Sequence, residues 1–231
     1  MNDVHDCVER LRKLDACAVS DALDKLGLDG VVNGLPPRSS TRRIAGRVVT
    51  LRLVAASLAA PASTRPRHLG TAAVETAGPD DVIVVEQRSG IEAGCWGGIL
   101  SLAARLRGIA GVVADGLVRD IDEARQYDLP VFCRGLTART ARGRVAETGT
   151  NVPVVIRDHA VQPGDYVIAD HSGVVFIAAA AIGRVLPVAE QIAALEAAMA
   201  KALQAGRPVT QVMGANYENM LRSPDAPGST C

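Results

Sequence analysis

Apolar and polar positions follow two different periods along this chain. From Ile44 to Ala55 they alternate, with a bias to β-branched residues, which predicts a strand. Asp81–Glu86 repeats the signal after Gly78-Pro79-Asp80, as do Tyr166–Ala169 after Pro163-Gly164-Asp165 and Val174–Ile177 after Ser172-Gly173. Gly143 to Ile156 predicts further strand. Helical spacing governs residues 5–28, with Ser20 as a candidate cap and Gly27 as a stop. It returns at Ile99, Leu102, Ala103 and Leu106, then in a short helix after Asp120 that leads to Pro130-Val131-Phe132-Cys133. A long helix from about Pro187 to Ala205 carries Val188, Ile192, Leu195, Met199 and Leu203 and ends at Gly206 and Pro208. Gly30 to Thr41, with Pro36-Pro37, is a turn-rich connector. Helices first, then strands interleaved with helices, predict a single α/β domain over residues 1–222 with helices covering the sheet layers. The Ser, Pro and Gly-rich tail, residues 223–231, is expected to be disordered.

The chemistry gathers at Gly111-Val112-Val113-Ala114-Asp115-Gly116-Leu117-Val118-Arg119-Asp120. Its apolar start reads as a strand buried on both faces, Asp115-Gly116 as the turn that stops it, and Arg119-Asp120 as a helix start. Arg supplies a planar donor fork for a carboxylate or enolate oxygen, and Asp is a hard oxygen ligand for Mg²⁺ or Mn²⁺. A structural reading competes: Asp120 followed by Glu123 also fits a helix cap, and Arg119 a surface charge. Upstream, Gly94-Cys95-Trp96-Gly97-Gly98-Ile99-Leu100 turns directly into the helix at Ile99–Leu106, whose first amides stay free to bind an anion.

Composition narrows the classes. The chain has 231 residues, 48% of them hydrophobic, enough for one substantial core. Its 25 acidic and 25 basic residues balance, which disfavours nucleic acid and anionic membrane as partners. The pattern shows no bilayer-spanning apolar run and no secretory signal, so a cytoplasmic location is expected. Cys7, Cys17, Cys95, Cys133 and Cys231 are scattered and read as reduced thiols, Cys95 as a packed one. His5, His68, His159 and His171 lack zinc-ligand spacing, so any metal site leans on oxygen.

Gly-Gly-Ile-Leu followed by Gly-Val-Val-Ala-Asp-Gly-Leu-Val-Arg-Asp resembles the signature of the RraA-like proteins, which include metal-dependent 4-hydroxy-4-methyl-2-oxoglutarate and 4-carboxy-4-hydroxy-2-oxoadipate aldolases. Val19-Ser20-Asp21-Ala22-Leu23-Asp24, Val161 to Asp170 and Gly173 to Ile177 extend the resemblance over roughly residues 15 to 205. It implies an α/β/β sandwich resembling the swivelling phosphohistidine-domain fold, assembled as a homotrimer or homohexamer. It implies that Asp120 binds a divalent metal, Mg²⁺ or Mn²⁺, and that Arg119 contacts the keto or enolate oxygen of a small oxoacid. Gly98, Ile99 and Leu100 would line the substrate site, with the amides of Ile99 and Leu100 on the pyruvyl carboxylate. Many members of the family carry Asp or Glu where this chain has Gly98, a departure that bears on metal affinity.

A Schiff-base aldolase needs a buried lysine of depressed pKa. The three lysines, Lys13, Lys25 and Lys201, all fall in segments read as exposed helix, which leaves metal activation. The expected reaction is aldol cleavage of a 4-hydroxy-2-oxoacid to pyruvate, with oxaloacetate decarboxylation at the same site. The resemblance also admits a non-catalytic regulator that inhibits a ribonuclease. A methyltransferase reading is disfavoured, because no glycine-rich strand-loop-helix with a following acidic residue suggests a nucleotide-type cofactor site.

Overall fold

Asp15 divides the N-terminal helical segment. A computed structural model of the chain, describing residues 2–59 and 68–213, shows two helices, α1 (Asn2–Leu11) and α2 (Ala16–Lys25), where the periodicity predicts one. Asp15 is extended, and its Oδ1 accepts the Ala18 amide at 2.8 Å, so it caps α2 while Ser20 lies inside that helix. Gly27, at φ 65°, ends it as expected.

The strands follow the predicted positions closely. The connector holds a two-residue strand, β1 (Val31–Val32); then come β2 (Ile44–Ala55), a 3₁₀ turn at Ala56–Leu58, α3 (Thr71–Thr76) and β3 (Asp81–Gln87). Next are β4 (Gly94–Trp96), α4 (Gly98–Leu106), β5 (Gly111–Val118), α5 (Ile121–Gln126) and β6 (Val131–Leu136). The expected strand over 143–156 is two, β7 (Val145–Thr150) and β8 (Val154–Ile156), and β8 forms a hairpin with β9 (His159–Val161). The chain continues with β10 (Tyr166–Ala169), β11 (Val174–Ile177), α6 (Ile182–Gln204) and α7 (Val209–Val212). The tail, 223–231, lies outside the described residues.

One mixed sheet of nine strands runs β1-β11-β10-β2-β3-β5-β4, with β6 on the other edge of β5 and β7 on β2 beyond β10. Strands β2, β3, β5 and β6 are parallel, so their C-terminal ends point one way. Alternation then sorts the side chains into layers. Ala45, Val49, Leu51 and Leu53 of β2 face the helices, as do Ile83 and Val85 of β3. Ile44 and Val48 face the other way, with Val82, Val84, Val113 and Phe132, toward Val154, Ile156 and Val161 of the β8–β9 hairpin. The result is a three-layer arrangement: helices, sheet, small β layer.

Two helices depart from their apolar pattern. In α6 only the first half is buried, through Ile182, Val185, Leu186, Ala189 and Ile192, while Leu195 and Leu203 are exposed. The helix also starts before Pro187, which it contains. In α4 the buried face is Gly98, Leu100, Ser101 and Ala104, and Ile99 and Leu106, expected against the sheet, are 76% and 78% exposed. Small residues let α4 lie close on Trp96 and the sheet, which turns its larger apolar stripe outward.

Arg10 on α1 clamps α6 through both carboxylate oxygens of Glu190, at 2.8 and 2.9 Å. The guanidinium holds the Glu190 carboxyl below its ordinary value. A lowered folded pKa contributes stability above the ordinary carboxylate range and loses it as pH falls through the lowered value. With both groups partly in water the pair is worth about 0.5 to 1 kcal/mol. Glu190→Gln should lower the unfolding free energy from urea titration by that amount at neutral pH and converge with the parent protein in acid; equal offsets at every pH would show that the charge contributes nothing.

Candidate active site

Strand β5 does not stop at Asp115-Gly116, as its sequence suggests, but runs through to Val118. Gly116 is there for space rather than for a turn: a Cβ would stand 2.8 Å from Cys95 Sγ and 2.9 Å from Gln87 Cβ. The chain leaves the sheet one residue later. The Arg119 amide donates to the Trp96 carbonyl at 3.0 Å, and Asp120 takes a left-handed conformation at φ 55°, ψ 40°. Such a backbone costs a non-glycine residue about 1 to 3 kcal/mol. Asp120 stands at the cap position of α5, yet its side chain makes no capping bond. Instead its Oδ2 accepts the Gly98 amide at 3.2 Å and Arg119 Nε at 3.1 Å. The capping alternative therefore fails, because the carboxylate is turned toward α4.

The start of α4 is shaped to receive it. Trp96 Nε1 donates to Ser101 Oγ, which donates to the Gly97 carbonyl, both at 3.0 Å, fixing the turn from inside. A Cβ on Gly97 would lie 3.1 Å from Asp120 Oδ2 and 3.3 Å from Arg119 Cγ. At Gly98 a Cβ would lie 1.6 Å from Glu123 Oε2 and 2.5 Å from its Cδ, so any side chain there requires the Glu123 carboxylate to swing aside. The Glu123 carboxylate thus occupies the space that a side chain at position 98 would fill. Sequence reasoning treats Glu123 only as support for a cap. The signal that finds it is the spacing from Asp120, which puts both carboxylates on one side of a helical turn.

These groups rim an open pocket of about 140 Å³ lined by His68, Leu69, Gly94 to Leu100, Arg119, Asp120, Thr140 and Ala141. The first intrahelical bond of α4 runs from the Ser101 amide to the Gly97 carbonyl. The amides of Ile99 and Leu100 precede it and have no helical partner, while that of Gly98 is spent on Asp120. Every expected site residue, Gly98, Ile99, Leu100, Arg119 and Asp120, is therefore brought to one place. Cys95 is not a nucleophile: it is buried, and burial pushes its thiol well above the ordinary range. Burial likewise takes Cys133 up to about 11.

Asp120 and Glu123 supply hard oxygen donors, the set that Mg²⁺ and Mn²⁺ take with water completing the shell. A second group, His5, Glu9 and Asp80, has ligand atoms within 4.8 Å of one another. It is already neutralised internally, with His5 Nδ1 at 2.8 Å from Asp80 and Arg12 at 2.6 Å from Glu9 and 3.2 Å from Asp80.

The RraA-like family model, described as Aldolase/RraA, matches residues 16–176. Protein DlpA of Legionella pneumophila is 28% identical over 172 residues, 74% of this chain but 27% of DlpA, so the chain spans about a quarter of that relative. A protein of Halalkalibacterium halodurans with the provisional name 4-hydroxy-4-methyl-2-oxoglutarate aldolase is 28% identical over 172 residues, covering 74% of this chain and 76% of that one. A crystal structure of a protein from Pseudomonas syringae pv. tomato is similar with a TM-score of 0.80 and 27% identity, covering 91% of this chain and 98% of that one.

The Gly98–Glu123 contact gives a test. Gly98→Ala should force Glu123 aside and weaken Mn²⁺ binding, read by paramagnetic resonance, about ten- to a hundredfold. Gly98→Asp alone should weaken it as well, whereas Gly98→Asp combined with Glu123→Ala relocates the carboxylate and should recover most of the loss. Unchanged affinity in Gly98→Ala would show that Glu123 is not held over position 98.

Proposed function

The chain belongs to the RraA-like family, and from that premise we propose that it is a divalent-metal-dependent pyruvate aldolase. Its substrate is a 4-hydroxy-2-oxo di- or tricarboxylic acid, cleaved to pyruvate and an oxoacid, with oxaloacetate decarboxylation as a second reaction of the same site. The observation that carries this reading is the convergence of the Asp120 carboxylate, the Arg119 fork and the open amides of Ile99 and Leu100 around one pocket, with the Glu123 carboxylate standing over Gly98 beside it.

Each of the chain's groups has a role in that reaction. The amides of Ile99 and Leu100, at the positive end of α4, take the substrate carboxylate. Arg119, tied to Asp120 through Nε, keeps its remaining donors for the keto oxygen. A base takes the C4 hydroxyl proton, C4 becomes the carbonyl of the departing oxoacid, and the C3–C4 electron pair passes into the pyruvate enolate, so negative charge develops on that keto oxygen, where a prepositioned cation lowers the barrier most. Asp120 and Glu123 would hold the metal ion, and Mg²⁺ or Mn²⁺ when bound supplies further positive charge for the same oxygen. Protonation at C3 then releases pyruvate. Lysine chemistry has no support: Lys13 and Lys201 are exposed and Lys25 is only half-buried.

We assign a homotrimer or homohexamer as part of this reading. The outward apolar face of α4, with Ile99 and Leu106, supports it. No described helix is long and apolar enough to cross a membrane. The regulator alternative shares the family description, but the carboxylate pair beside an arginine favours catalysis.

The deciding assay is pyruvate release from 4-hydroxy-4-methyl-2-oxoglutarate, 4-carboxy-4-hydroxy-2-oxoadipate and oxaloacetate. Turnover should vanish with a chelator and return with Mg²⁺ or Mn²⁺, and borohydride with pyruvate should trap no adduct. Asp120→Ala should abolish turnover, and Arg119→Ala should lower it by roughly two to three orders of magnitude, with both variants folded. Trapping on a lysine, or full turnover in Asp120→Ala, would overturn the mechanism.

A further inference from the structure

The sheet face turned away from the helices carries charge that the aldol chemistry does not use. Arg52 on β2, Glu86 on β3 and Asp115 on β5 are in-register neighbours. Arg134 on β6 continues the row, next to Cys133, which pairs with Ala114. Arg88, just past β3, and Arg157, between β8 and β9, close over it.

Asp115 is the centre of this group. Its side chain is 2% exposed, and its Oδ2 accepts the Arg157 amide at 2.7 Å. Its Oδ1 is buried and accepts no hydrogen bond, and Arg52 Nε is likewise buried and unpaired. Three guanidiniums stand around the carboxylate: Arg88 Nε at 3.9 Å, Arg134 Nη1 at 4.0 Å and Arg157 Nη1 at 4.0 Å. Those distances give Coulomb attraction without a hydrogen bond. Glu86 is committed elsewhere, its Oε2 accepting the Val155 amide at 3.2 Å. Four guanidiniums thus face two carboxylates, leaving two positive charges in excess, and the three outer ones keep their donor forks unspent while reaching solvent.

We propose that Arg88, Arg134 and Arg157 form a binding site for a small oxyanion carrying two negative charges, with Asp115 as the residue that gathers them. The ligand's charge matches the excess, and its oxygens accept from guanidinium forks in the geometry arginine recognises best. A carboxylate at the base holds three mutually repelling cations together without consuming their hydrogen bonds. The site is separate from the catalytic pocket. Asp115 and Gly116 point to opposite faces of β5, and Asp115 precedes Arg119 by four residues, about 13 Å of strand. The proposal does not depend on the aldolase reading.

Sulfate is a suitable probe, because it is doubly charged at every working pH. Titration calorimetry should show saturable sulfate binding at constant ionic strength with no equivalent heat from chloride. A malonate arm separates a tetrahedral ligand from a dicarboxylate, either of which supports the site. Arg134→Gln and Arg157→Gln should each weaken binding about tenfold or more. Asp115→Asn keeps an acceptor for the Arg157 amide but removes the charge that gathers the three guanidiniums, so it should weaken binding. Arg119→Ala should leave it unchanged. Circular dichroism establishes which variants are folded, and the partly exposed arginines provide the test if Asp115→Asn is not. The proposal is overturned by absence of saturable binding, by an equal response to chloride, by loss of binding in Arg119→Ala, or by unaltered binding in both folded arginine variants.

Discussion

The missing Cβ atoms at Gly97 and Gly98 are the constraint on which the site depends. They let the first turn of α4 approach the end of β5 so closely that the Asp120 and Glu123 carboxylates sit where side chains would be. Any larger residue at 98 must displace Glu123 or move the helix. The approach is locked from both sides, by the Trp96–Ser101–Gly97 chain of hydrogen bonds and by the Arg119 amide on the Trp96 carbonyl. That locking sustains the left-handed backbone of Asp120, whose cost is otherwise unrecovered.

The sheet supplies the platform. Four parallel strands end on one side, and the residues that follow β5 and precede α4 meet there, as is usual for sites in open α/β sheets. Covering one face with helices and the other with a hairpin gives the two sides of β5 different work. Gly116 yields room to Cys95 and Gln87 on one side, while Asp115 on the other collects arginines.

Where a segment's local pattern matched its final surroundings, the sequence was sufficient. Strand β2 spans the predicted Ile44–Ala55, and β10 and β11 match equally, because alternation or β-branching is fulfilled within the sheet itself. Arg119, Asp120 and the amides of Ile99 and Leu100 were legible through the resemblance. Asp115-Gly116 was misleading, since Asp-Gly marks turns in exposed chain but here lies within a central strand, its polarity met by arginines distant in sequence. Glu123 was hidden for a related reason: its partner is an absence, the side chain that Gly98 lacks, and only the fold brings the two together. Asp15, a short side chain before an apolar run, was a readable cap that the longer helical periodicity obscured.

The reversed face of α4 has the most consequence. Hydrophobic periodicity states that a stripe is to be buried, but not against which molecule. Ile99 and Leu106 lie on the outside of a nine-residue helix whose inner face is Gly98, Leu100, Ser101 and Ala104, so the apolar stripe is exposed on this chain. The same helix offers its first amides to the pocket, and Ile99 belongs to both features: its amide is at the site and its side chain is on the exposed face. A surface that covers Ile99 therefore stands at the mouth of the pocket and changes how water reaches Arg119 and Asp120. Burying Ile99 and excluding solvent from the charged site would then be a single event, coupled through one turn of helix.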